Sequence, residues 1–387
     1  MIDRSLGAAA SGIETMQTEL DVIGNNIANS ETVGFKSGTA EFQNLLSDVL
    51  TPAGAAGANS GSIDPSAVGA GDAVAGIYTN FSEGAISQTG IATDVAITGN
   101  GFLVVDSNGP TGYTRDGQLQ LDTSGRLTEP NGGLVLGWLP GQATSAAPGP
   151  LSIIAGSTEP PSQTKNITVG GNLDSASTQP VTVTTSIFDS LGTSVPVTLT
   201  FTPNGAGSWS LQGTVAGAAS PLWAAPQTVT FGNDGQMATL NGAAVGSQNA
   251  LTQFANSSTA AVSGQDGYAS GVLQSYGIGA DGTITGTYSN GESQSLGTIA
   301  LAQFANPNGL IDTGGTFFQP SAASGEPRLG TPGEGGLGTL EGGAVEGSNV
   351  DLAAELTNLI EAQTAYQANT KVVNSSSEAL ASLIQMS

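Results

Sequence analysis

The 387-residue chain contains no cysteine and no histidine. The first absence excludes disulfides, thiolate nucleophiles and cysteine-ligated zinc or iron–sulfur centres. The second removes the commonest general base and the commonest metal ligand. Positive charge is almost as scarce: 7 Lys and Arg stand against 31 Asp and Glu, a formal net charge of −24. So few cations exclude phosphate-dominated nucleic-acid binding, and an anionic membrane surface would repel the chain. No run approaches the roughly 18 apolar residues that membrane insertion requires. The first ten residues imitate a signal peptide weakly, since Gly7 and Ser11 break the apolar stretch, and they read as uncleaved.

What is abundant is small and turn-forming. The 57 glycines and 18 prolines follow no collagen-like period. Asn-Gly pairs begin at Asn100, Asn108, Asn131, Asn204, Asn241, Asn290 and Asn308, and Asp-Gly pairs at Asp116, Asp234, Asp266 and Asp281. Such pairs favour hairpin turns. Between them lie β-type runs such as 102–105, 181–185, 195–201 and 228–231, so the middle of the chain reads as β-rich. A Gly/Ala/Ser-rich stretch, Thr51 to Gly71, reads as an extended connector, and Pro140 to Pro161 divides the middle. No cation occurs between Lys165 and Arg328.

The two ends carry helical periodicity. Leu6, Ala9, Ile13, Met16, Leu20, Ile23 and Ile27 recur in steps of three and four, the spacing of a coiled-coil seam. Asp3 or Ser5 is the expected cap, Gly24, Asn25 and Asn26 are expected to weaken the end, and the helix should span about 22 residues, roughly 33 Å. At the other end Leu352, Leu359, Tyr366, Val373 and Leu380 recur every seven residues. Leu356, Gln363, Thr370, Ser377 and Ile384 fill the alternate seam, with Ser348 or Asn349 as cap and Asp351 near the positive dipole end. Both helices enter and leave one globular body, so they should run antiparallel. With half the second seam polar, the ends are expected to be unfolded before assembly.

Chemical motifs mislead here. Gly277 to Gly282 matches G-x-G-x-x-G, as does the run through Gly333, Gly335 and Gly338, but neither opens a helix after a strand. The acceptor triplets at Asn166, Asn256 and Asn374 have no supporting context. No catalytic, cofactor or metal site is expected.

Longer blocks carry a resemblance. Gly24 to Lys36, with Asn25, Asn26, Ala28 and Asn29 followed by Thr32, Gly34, Phe35 and Lys36, resembles the N-terminal signature of flagellar rod and hook proteins. The blocks 83–90, 94–97 and 113–117 are similar to segments shared by hook and distal-rod proteins. Glu346 to Leu352, with Ser348, Asn349, Val350 and Asp351, and Gln363 to Asn369 resemble the C-terminal signature. The middle is similar to the hook side of the family: Phe188 to Thr193, Leu199 to Phe201 with Trp209, Asp266 to Gly271, Tyr288 to Gly291, Ala302 to Leu310 and Ser324 to Pro327.

The resemblance implies a multidomain α+β protein, with terminal helices forming a coiled-coil-like inner domain and mainly-β outer domains. The expected organisation is a terminal helical polymerisation domain at 1–30 and 348–387 and an extended connector at 31–75 and 328–347. An inner β domain follows at 76–158 and 266–327, and an outer β domain at 159–265. The implied role is a structural subunit, not an enzyme, of an extracellular tubular homopolymer that passes motor torque from rod to filament while bending. The implied partners are the distal rod, hook cap, hook–filament junction proteins and the flagellar type III export apparatus. Leu6, Ile13, Met16, Leu20, Ile23, Ile27, Leu352, Leu356, Leu359, Tyr366, Val373, Leu380 and Ile384 would form the polymerisation seam. The alternatives are a distal-rod subunit and, from another class, an extracellular β-rich adhesin.

Overall fold

The structure, a computed structural model, describes residues 2–46, 48–51, 64–107, 109–205, 207–217, 221–241, 243–244 and 251–386. The chain divides into two compact units, one of residues 1–154, 277–285 and 295–387, the other of residues 155–276 and 286–294.

The first unit begins and ends in helices, α1 (Ile2–Ala28) and α2 (Leu352–Met386). At 27 residues α1 is longer than its sequence suggests and runs through Gly24, Asn25 and Asn26. The reason is tertiary. Asn26 is buried, and its amide exchanges two hydrogen bonds with the backbone of Gly38, so it anchors the helix instead of ending it. The N-cap of α2 is Asp351, not Ser348 or Asn349: its Oδ1 accepts the amides of Ala353 and Ala354 at 2.9 and 3.1 Å. The helices pair with each other, and they run antiparallel. Ser5 meets Ser376 at one end, and Asn26 meets Glu355 at the other. The terminal segments, read from their spacing as helices, are helices that pack on one another within one chain.

The β part of this unit is antiparallel. Leu134–Trp138, Phe102–Asp106, Thr111–Thr114, Phe317–Gln319 and Ile311–Gly314 lie side by side in that order. Their core holds Phe102, Val104, Tyr113, Trp138, Phe304 and Phe318. Tyr113 meets Phe304 edge-on, at 4.8 Å between centroids and 89° between planes, an arrangement that aromatic quadrupoles favour. The stretches expected as extended connectors carry strands. Gly38–Asn44 pairs with Asp72–Thr79, Asp48–Thr51 with Ser66–Val68, and Thr339–Gly342 with Val95–Thr98. Backbone amides there need partners, and an antiparallel neighbour supplies them. Residues 52–63 of the expected connector lie outside the described residues.

The second unit contains a six-stranded meander in sequence order: Val181–Phe188, Ser194–Gly205, Ser208–Val215, Gln227–Phe231, Met237–Leu240 and Ala243–Ala244. Val197, Leu199 and Phe201 alternate inward against Trp209, Leu211 and Val229. Asp234-Gly235 turns between successive strands, as its sequence suggests, whereas Asn204-Gly205 ends its strand, with Gly205 already paired to Ser208. Asp266-Gly267 does not: a Cβ on Gly267 would lie 2.2 Å from Thr164 Oγ1, so this glycine permits a close approach. The unit is rooted in a ribbon. Thr158 pairs with Val272, and Ser162 exchanges both backbone hydrogen bonds with Tyr268, at 3.1 and 2.9 Å. The two ends of the insertion are thereby held together.

Candidate assembly site

The blocks 24–36, 83–90, 94–97, 113–117 and 346–352, which carry part of the family resemblance, converge in the first unit, at the base of the helix pair. After α1 the chain turns at Asn29–Thr32, where Thr32 Oγ1 donates to Asn29 Oδ1 at 3.1 Å. Asn29 in turn donates to Asn25 Oδ1 at 2.6 Å. Gly34 follows with φ of +70°, and a Cβ there would lie 2.6 Å from the backbone nitrogen of Asp116. Only glycine fits both the backbone angle and the space. Gly34 also donates its amide to the carbonyl of Glu346 at 2.8 Å. Gly117 meets a similar limit, since its Cβ would fall 1.5 Å from the carbonyl oxygen of Val95. The Asp116-Gly117 pair, read as a hairpin signal, is a backbone crossing point instead.

At the centre stands a buried group of charges. Lys36 Nζ donates to Glu346 Oε1 at 2.5 Å, with both side chains fully buried. Arg115 Nη1 reaches Glu346 Oε2 at 3.2 Å, and its Nη2 donates to the carbonyl of Gly99 at 2.7 Å. The guanidinium lies 5.5 Å from the ring centre of Phe102, within cation–π range. The amide of Gly84 donates to Glu346 Oε1 at 2.8 Å. Burial pulls the Lys36 ammonium below its ordinary pKa and the Glu346 carboxylate opposes that fall, while Arg115 adds to it. Two cations thus share one carboxylate away from water, and losing that carboxylate would leave both uncompensated. Asn349 completes the junction. Its Oδ1 accepts the amide of Ser37 at 2.8 Å, and its Nδ2 donates to the carbonyls of Asn80 and Ser82 at 2.7 and 3.1 Å. Ser348 Oγ accepts the amide of Val350.

A groove of about 700 Å³ opens beside this junction, lined by Asn25, Asn29, Gly34, Lys36, Asp116 and Phe318. The Asp116 carboxyl is raised to about 6, by burial first and then by Glu129 and Asp94, against the favourable amide of Gln118.

The helix faces divide more finely than the sequence period suggests. On α1, Ile23 is buried, while Leu6, Ile13, Met16, Leu20 and Ile27 are half-buried. On α2, Leu359, Val373 and Leu380 are half-buried, but their companions on the covered face are Glu355, Ala362, Asn369 and Ser376. The alternate positions lie one residue further on: Leu356, Gln363, Ser377 and Ile384 are exposed, as are Leu352 and Tyr366, while Thr370 is half-buried. The offset follows from close approach: a Cβ on Gly12 of α1 would lie 2.6 Å from Asn369 Nδ2, so small and polar side chains fill this face. Ala28 is exposed, and Phe35 is half-buried. Sequence reasoning assigned no role to Glu346 or Arg115. Their signal was only that scarce charges sit inside short blocks of strand-like sequence.

The segments that build this arrangement, the terminal helices and the β body, match family models of flagellar rod and hook proteins. Family models match as follows: flagella basal body rod protein at residues 6–36 and the flagellar hook protein FlgE/F/G D1 domain at 96–176. The flagellar basal body protein FlaE D2 domain matches at 157–268, and the flagellar basal body rod FlgEFG protein C-terminal region at 341–386. Flagellar hook protein FlgE of Borreliella burgdorferi is 34% identical, covering 99% of both chains. That of Salmonella typhimurium is 35% identical, covering 99% of this chain and 100% of its own. A crystal structure of Helicobacter pylori flagellar hook protein FlgE2 shares the fold, with a TM-score of 0.51 at 14% identity over 66% of this chain and 99% of that one. The chain belongs to the flagellar hook protein family and is a structural subunit of the hook.

Proposed function

We propose that the subunit polymerises through its paired terminal helices into a flexible tube, a universal joint between rod and filament. The observation that carries this reading is the apolar surface of α2 left uncovered within the chain: Leu352 and Leu356 are each 46% exposed and Ile360 61%. Large apolar side chains in such a row mark an interaction surface. Identical subunits meeting through unlike patches build an open helical polymer. The helices at 1–30 and 348–387 then form a coiled-coil-like inner layer. The segments 31–75 and 328–347 link it to an inner β domain at 76–158 and 266–327, and 159–265 forms the outer β domain. Leu6, Ile13, Met16, Leu20, Ile23 and Ile27 join Leu352, Leu356, Leu359, Tyr366, Val373, Leu380 and Ile384 in the seam.

Torque transmission needs contacts that hold the tube while its sides lengthen and shorten. Surfaces of Gly, Ser, Thr and Ala between Lys165 and Arg328 have few ion pairs to break as they slide. The rod, the hook cap, the junction proteins and the type III export apparatus are the proposed partners. The test is Leu356→Asp, which places a carboxylate on the uncovered face. Electron microscopy should show no tubes, while the monomer's thermal midpoint stays within a degree or two. Normal tubes from this variant would remove Leu356 from the seam.

A further inference from the structure

We infer that Glu346 is the closing element of the first unit, so that this unit folds only when the C-terminal segment 339–349 is in place. Four donors converge on this one residue: the Gly34 amide on its carbonyl, and Lys36 Nζ, the Gly84 amide and Arg115 Nη1 on its carboxylate. They come from three segments remote in sequence. Before Glu346 arrives, closing the junction would bury two cations beside each other with no anion between them.

The backbone repeats the dependence. Among the described residues, the only strand paired with Val95–Thr98 is Thr339–Gly342, and the only one paired with Ile86–Gln88 is Ala344–Glu346. Val95, Ala96 and Ile97 are completely buried, as is Ala344. Without 339–346 the unit loses the ladder of a strand whose first three residues are completely buried and the counter-ion of its charged centre together. Asn349 then ties Ser37 to Asn80 and Ser82.

The second unit has no such dependence. Its ribbon and its meander core are built from residues 155–276. The unit's last segment, 286–294, also precedes 339–349, so a chain made from its N-terminus carries everything for the second unit before it can close the first. The device keeps the two ends of the molecule open until the chain is complete. It rests on contacts within one chain, so it stands or falls independently of the polymerisation seam.

Pulse-labelled hydrogen exchange during refolding of the full chain tests the order. Amides of 95–97 and 102–105 should gain protection in the same phase as 340–345, and no earlier than 197–201 and 209–211. Protection at 95–105 preceding that at 340–345 would overturn the inference. In the full-length Glu346→Gln variant, exchange at 95–97 should accelerate on the order of a hundredfold or more, while 197–201 keeps its native rate. Unchanged exchange at 95–97, or equal loss in both units, would equally overturn it.

Discussion

Asn26 and Glu355, 329 positions apart, are joined by a hydrogen bond of 3.0 Å between the C-terminal turn of α1 and the first turn of α2. The same Asn26 amide group serves the backbone of Gly38. One side chain therefore fixes helix to helix and helix to strand. Asn26→Ala should destabilise the first unit by about 1–3 kcal/mol, because it strands the Gly38 amide and carbonyl as well as Glu355. Denaturant unfolding gives the value, and a double-mutant cycle with Glu355→Gln isolates the helix–helix part.

Gly34→Ala combines a left-handed backbone angle with a collision against the Arg115–Asp116 backbone. A loss of about 3 kcal/mol or more is expected, at the upper end of single substitutions. Thermal unfolding should show it in the first unit, and Gly90→Ala, where φ is also positive but the space is open, should cost about 1 kcal/mol.

Acid dependence has a defined sign at Asp116. Its pKa is about 6 in the folded chain against an ordinary 3.8, so the folded state takes up the proton first. Its ionised form penalises folding, fully so above pH 6, and that penalty disappears as pH falls from about 6 toward 4. Asp116→Asn should raise the thermal midpoint at pH 8 and flatten the profile between pH 4 and 7. An unchanged profile would show that Asp116 titrates without strain.

Glu361 lies off the expected seam, yet its charge acts across the helix pair. Burial and the Glu361 carboxylate both push the Glu19 pKa up, across the helix pair. Glu361→Gln should tighten the pairing at pH 7 and reduce its gain on acidification. Helical content of the monomer, followed by circular dichroism against pH, checks this. Leu359→Asp, by contrast, should lower that helical content, because Leu359 is half-buried in the subunit.

The sequence carried the class of each element well. Steps of three and four marked both helices because one side of each is covered. Asp234-Gly235 marked one turn of the meander because its glycine takes a positive φ there. What it hid depended on contacts between distant residues. Asn26 reads as a helix breaker until Gly38 is known to stand beside it. Asp116-Gly117 and Asp266-Gly267 read as hairpin turns until the crossing backbones appear. The face of α2 shifted by one residue because Gly12 brings the helices too close for leucine at every position. The buried charges were least legible of all. Nothing local distinguishes Lys36 or Glu346 from a solvated residue, since their pairing spans 310 positions.

The ribbon at Ser162 and Tyr268 has an evolutionary consequence. It closes the loop locally, so whatever lies between those residues meets the rest of the chain as a cassette with a standard plug. Sequence beyond the plug can lengthen, shorten or be exchanged, at an entropic cost that grows only slowly with loop length. Diversification of the cassette and preservation of the terminal helices can then proceed at different rates within one gene.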